Sequence, residues 1–190
     1  MKNKFMETVV LLIAMFSFNC EDNPSSPPQI NPQENITTVR LKFVNENNFF
    51  DTIIVNWKDE NGDGSNIYID TLKFPENFLS YNGSIEILDE SKSPISNLTF
   101  EIEEEKNNHM FVYERDSALY NDIKFDSLNT DDNGKPFGLH YKVFLTPTFF
   151  KHTKHRKIKV SLRHFAEGKD ENLQNYETDV EVEFPIQIGD

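Results

Sequence analysis

Asp59, Asn61, Asp63, Gly64 and Asp70 are spaced as positions 1, 3, 5, 6 and 12 of a calcium-binding loop. A hard cation draws several oxygens from one tight loop, and a glycine at the sixth place permits the bend. Two features depart from the pattern: the twelfth residue is Asp rather than Glu, and Asn66 stands where an apolar residue is usual. The flanks alternate like strands, so the competing reading is a polar hairpin turn, for which Asn-Gly and Asp-Gly are strong signals. Calcium is the one cofactor this spacing suggests.

Five histidines add a second kind of ligand. His109 follows Glu103, Glu104 and Glu105 and could join a carboxylate–imidazole site, against the plainer reading of a solvated charge run. His164 ends a strand and shares the inward parity of Ile158, Val160 and Leu162. Both are carried forward as possible ligand or metal residues. His152 and His155 form H-x-x-H, but zinc proteases need histidines a full helical turn apart and a glutamate base. With Lys151, Lys154, Arg156 and Lys157 around them, an exposed basic loop is expected. Asp131-Asp132-Asn133-Gly134 reads as a turn. No nucleophile with an adjacent base and no phosphate-cradling glycine loop is present, so no catalytic residue is assigned and the chain is not expected to be an enzyme.

These groups stand in a chain of 190 residues carrying 19 Lys and Arg against 32 Asp and Glu, a net charge of −13. That surface repels phosphate backbones, so nucleic-acid binding is not expected. A single cysteine, Cys20, allows no internal disulfide. It closes an N-terminus with Lys2, Lys4 and an apolar run from Val9 to Phe18, too short to span a bilayer. A cysteine there, followed by a Pro/Ser/Asn linker, resembles a bacterial lipoprotein signal; an ordinary cleaved signal with a chance cysteine is the alternative. Residues 1–19 are read as the signal, Cys20 as the lipidated residue, 20–36 as an extended tether and 37–190 as one domain. The expected location is the outer membrane, lipid-anchored, facing the periplasm or the cell surface.

From Thr37 the period is two. Val39, Leu41 and Phe43 alternate with Arg40 and Lys42, and Ile53, Val55 and Trp57 repeat the pattern. Further strands are expected at Ile67–Ile69, Ile85–Ile87, Met110–Glu114, Asp122–Phe125, Gly138–Phe144, Lys157–His164 and Tyr176–Ile188. The last two should pair, with Lys157, Lys159 and Arg163 meeting Asp179, Glu181 and Glu183 on the solvent side. Ile95, Leu98 and Ile102 fall on one helical face behind Ser93-Pro94, so a short acidic helix is favoured within 94–108, although Leu98, Phe100 and Ile102 also alternate. The fold class is therefore mostly β: an antiparallel β-sandwich, immunoglobulin-like or related, with one short acidic helix.

Asn82 to Val112, with its order GSIEILDES, EIEEE and a histidine, resembles a group of small Bacteroidota outer-membrane lipoproteins often labelled type 1 periplasmic-binding-fold superfamily protein. The likeness extends to Gly62–Gly64, Asp132-Asn133-Gly134, Gly138-Leu139 and Leu162-Arg163-His164, and Glu21-Asp22 look like the acidic export signal of their surface members. That label implies a two-lobed α/β architecture, which this short strand-rich chain does not support. The resemblance implies an accessory to a TonB-dependent receptor in nutrient or metal uptake. The alternative is a calcium-stabilised structural or adhesive immunoglobulin-like surface module.

Overall fold

The computed structural model describes residues 35–60, 62–146 and 156–189. The chain divides into two units, Met1–Asn31 and Pro32–Asp190. The signal sequence, Cys20, residues 20–34 of the expected tether, Asn61, His152 and His155 lie outside the described residues.

Alternation of apolar and polar side chains builds the first strands. Val39, Leu41 and Phe43 are fully buried on β1 (Thr38–Asn45), which pairs antiparallel with β2 (Asn48–Asp59). β3 (Ile67–Ile69) adds to the outside of β2 and leaves Ile67 and Ile69 exposed. A further short strand, outside those expected from the sequence, follows at Leu72. Leu72 and Phe74 are buried on β4 (Leu72–Phe74). β5 (Leu79–Asp89) flanks β1 on its other side, and the two-residue β6 (Ser96–Asn97) lies against its end. β7 (His109–Arg115), β8 (Ile123–Asp126), β9 (His140–Leu145), β10 (Arg156–His164) and β11 (Glu177–Ile188) complete the set.

They form two sheets. Sheet A runs β3-β2-β1-β5-β9-β8, with β6 on β5; sheet B runs β4-β11-β10-β7. Their inner faces share one core, in which Ile158, Val160 and Leu162 of sheet B join Val39, Leu41 and Phe43 of sheet A. The architecture is a β-sandwich. Pairing is antiparallel except between β4 and β11, which run parallel at the edge of sheet B. Close packing uses glycine where the sheets need it. A Cβ on Gly83 would stand 2.2 Å from the Tyr141 ring, which lies over that strand.

The helix forms, but later and shorter than the periodicity suggested. α1 spans Thr99–Glu104, with Leu98 at its N-cap; Ser93 and Pro94 do not start it. Leu98 and Ile102 face the core, whereas Ile95 lies ahead of the helix and is exposed. Glu103, Glu104 and Glu105 at its C-terminal end oppose the macrodipole, and no basic residue offsets them there. Such a helix has little reason to grow.

The β10–β11 pair also departs from the expected charge ladder at one point. Lys157 pairs with Glu183 at 2.5 Å, and Lys159 with Glu181 at 3.4 Å and Glu114 at 2.7 Å. Arg163 instead lies over the Tyr176 ring, 4.2 Å from its centroid. The register explains the change. Leu162 faces Val180 but Arg163 faces Thr178, so Asp179 is the extra residue of a β-bulge. A bulge re-aims side chains that strict alternation would send to solvent.

Candidate metal centre

Three strands of sheet B bring His109, His164 and Asp179 together. His109 opens β7 and His164 closes β10, and the two are directly opposite in register. Asp179 arrives from β11 through the bulge. One ligand atom from each lies within 4.8 Å of the others, the only such group of three among the described His, Cys, Asp and Glu residues. Around a tetrahedral ion with bonds near 2.0–2.2 Å, ligand atoms stand about 3.4 Å apart. The three must therefore close by roughly an ångström onto an ion.

The ring orientations favour a ligand role for His109. Its Nδ1 lies 3.2 Å from the Glu105 carbonyl oxygen, just past the end of α1. A carbonyl only accepts, so Nδ1 carries the proton and Nε2 keeps its lone pair. That Nε2 faces Asp179, 3.8 Å from Oδ2, too far for a hydrogen bond. A carbonyl oxygen accepting from the far nitrogen is the arrangement that orients metal-binding imidazoles. The His164 ring stacks on it with centroids 4.7 Å apart.

The electrostatics run the same way. Burial pushes the His109 pKa down from 6.5 to about 4, with the Glu105 carbonyl opposing and the His164 and Lys169 charges adding. Burial raises the Asp179 carboxyl, against His164 and together with Glu177. At neutral pH the site thus presents a neutral imidazole beside a carboxylate that lacks full hydration. A cation would relieve that carboxylate and use that lone pair.

The depressed His109 value sets a pH dependence for the metal-free protein. The folded state keeps the ring neutral while the unfolded chain takes up a proton below pH 6.5. Stability is complete above 6.5 and declines as pH falls toward 4, by about 2 kcal/mol at pH 5 and about 3 kcal/mol in all. Asp179 works in the opposite sense, since a raised carboxyl pKa favours the folded state at low pH. Urea unfolding at pH 7 and pH 5 in chelator should show a smaller loss in His109→Gln than in the parent. Equal losses would remove His109 as the cause.

The other expected site residues are placed separately. Asp59 is buried and accepts a hydrogen bond from Gly64 N through Oδ2 at 2.8 Å, while Asp63 accepts from Ser65 N at 2.9 Å. Asp70, the expected twelfth-position ligand, is committed to the hairpin. Its Oδ2 accepts from Asn56 N at 2.9 Å and its Oδ1 from Tyr68 Oη at 2.7 Å. Asp131-Asp132-Asn133-Gly134 is a turn, with Asp131 accepting from Asn133 N and Lys135 N. Of the two carried histidines, both belong to the centre. Asp179 was missed because parity assigned it to the charge ladder, and nothing local in Thr178-Asp179-Val180 announces a bulge.

Comparison of the chain with family models, with curated proteins and with solved structures gives no match.

Proposed function

We propose that this protein is a lipid-anchored cell-envelope binding protein whose β-sandwich holds a divalent transition-metal ion, zinc first among them, at His109, His164 and Asp179. The observation that carries the reading is the convergence of these three side chains with the His109 Nε2 lone pair turned toward Asp179. Two imidazoles and one carboxylate suit zinc and its neighbours better than the hard cations, which prefer all-oxygen sites. Three protein ligands leave a position for water or for a ligand carried by a partner. The role is binding, not catalysis. Cys20 and its linker support an outer-membrane anchor, and an accessory part in TonB-dependent metal or nutrient uptake fits a surface metal site.

The test is zinc titration of the chain from Glu21, read by calorimetry and by the melting curve in chelator and in zinc. Saturable binding at one ion per chain supports the reading. A melting curve that no transition metal moves would overturn it. Uptake by cells lacking the gene, at limiting zinc, separates metal binding from the accessory role.

A second reading, the calcium-stabilised immunoglobulin-like surface module, has one observation in its favour. Asp59 is 5% exposed, and its Oδ1 has no hydrogen-bond partner at the β2–β3 turn. If calcium sits there, the melting temperature rises in calcium and Asp63→Ala abolishes the rise. No calcium shift in the parent chain leaves Asp59–Asp70 a hairpin turn.

A further inference from the structure

His109, His164 and Glu177 stand in one row across sheet B. His164 on β10 is directly opposite His109 on β7 and, on its other side, directly opposite Glu177 on β11. Directly opposed residues of antiparallel strands send their side chains to the same face, with Cβ atoms about 5 Å apart. The two stacked histidine rings mark that face. Glu177 therefore leaves β11 on the side where both imidazoles and Asp179 meet.

The bulge is the cause. Leu162 faces Val180, so a regular ladder would set His164 against Thr178. Because Asp179 is the extra residue, His164 faces Glu177 instead. One irregularity thus delivers two carboxylates to the histidines, one directly and one by shifting the register behind it.

The charges give Glu177 a task. It is exposed and makes no hydrogen bond or ion pair among the described residues. Its charge still reaches Asp179, whose carboxyl pKa is raised first by burial, lowered by His164 and raised again by Glu177. In the metal-free protein the two carboxylates repel each other, and neither holds a lysine or arginine among the described residues. A divalent ion bound by two neutral imidazoles and Asp179 alone keeps one uncompensated positive charge beside the buried His109. A second carboxylate cancels it, and a half-buried complex without net charge is the less costly one to desolvate. Glu105 does not fit this role. Its Oε2 lies 3.9 Å from His109 Nδ1, but that nitrogen is taken by the Glu105 carbonyl oxygen, and Nε2 points the other way.

We propose that Glu177 is the fourth ligand of this centre, an exposed carboxylate that swings onto the ion once His109, His164 and Asp179 hold it and closes the position they leave. The inference rests on the reading of that trio as a metal centre. Four protein ligands make a closed tetrahedral site, which suits holding an ion and not activating water. The exposed ligand is the last to arrive and the first to leave, so Glu177 also governs release. A ligand carried by a partner would take the ion by displacing it.

The test uses the full-length protein loaded with zinc or with cobalt, whose visible absorption is intense when four-coordinate and weak at higher coordination. The parent should show the intense bands, unmoved by millimolar azide. Glu177→Gln should bind either ion about tenfold more weakly, less than the loss at a fixed ligand, because ordering a mobile side chain cancels part of its contribution. Its cobalt bands should weaken and shift with azide, and its zinc should pass faster to a chelator. Its metal-free melting curve should not fall below the parent's, since the exposed carboxylate holds nothing in the fold. Unchanged affinity in Glu177→Gln, or azide shifting the parent, would overturn the proposal. A tenfold loss with the parent's spectrum and azide response would show the charge acting from a distance and would overturn it too. If Glu105→Gln reproduces these changes and Glu177→Gln does not, the fourth place belongs to Glu105. A parent that binds neither ion defeats the trio itself, a failure visible before any variant is made.

Discussion

Replacing any one of His109, His164 and Asp179 is expected to lower zinc affinity by more than a hundredfold. Structural zinc sites with four ligands bind with roughly 10–16 kcal/mol, or about 3 kcal/mol per ligand. Losing 3 kcal/mol is a factor of about 150. His164→Ala and Asp179→Asn are the informative pair. His164 is half-buried, and its loss leaves the His109–Glu105 contact in place. Asp179→Asn removes a carboxylate whose charged form burial disfavours. The metal-free variant should therefore melt no lower than the parent at pH 7, while its zinc-induced rise disappears. That split, stability kept and metal response lost, is what a purely structural role for Asp179 would not produce. Parallel loss of both would reduce the trio to a packing cluster.

Lys169 should be the costliest single charge to remove. Its side chain is 1% exposed and that of its partner Asp131 is fully buried, with Nζ 3.1 Å from Oδ2. The same ammonium donates to the Lys106 and Pro136 carbonyl oxygens, each at 2.8 Å. All three donors are used, and the loop after β10 is tied to the turn at Asp131 and to the segment entering β7. Lys169→Met leaves Asp131 buried without its counter-charge, at a cost of about 3–5 kcal/mol. Lys169→Met with Asp131→Asn should recover much of this, because an amide oxygen still accepts from Asn133 N and Lys135 N. Denaturant unfolding of the two singles and the double measures the coupling. Additive losses would show that the pair is not coupled. Because Lys106 lies three residues before His109, the single variant should also bind zinc less tightly in the folded state.

Much of the sandwich was legible in the chain. Strands with one face inward announce themselves by period two, and β1, β2, β5 and β10 followed that signal. Leu72-Lys73-Phe74 carried the same signal over too few residues to stand out, and its burial comes from lying beside β11 and from Phe74 packing on Phe43 and Tyr81 of the other sheet. The acidic helix was half legible: Leu98 and Ile102 marked the buried face, but its start depended on Ser96 and Asn97 being drawn into pairing with β5. The acidic turn at Asp59 looked like a ligand loop because spacing shows which oxygens are near in sequence. It does not show that Asp70 spends both of its oxygens on β2 and β3.

Residue type and alternation by themselves determined a mostly-β domain of two apolar faces, its acidic surface, and His109 and His164 as the histidines worth carrying forward. These properties are local, since burial of one face imposes a period on each strand independently. The convergence of His109, His164 and Asp179 was decided by tertiary structure alone. It requires β7, β10 and β11 to lie side by side in one register, and one extra residue between Thr178 and Val180 to turn Asp179 from the solvent ladder to the histidines. Register and bulges arise from pairing between distant segments, and no short stretch of this chain encodes them.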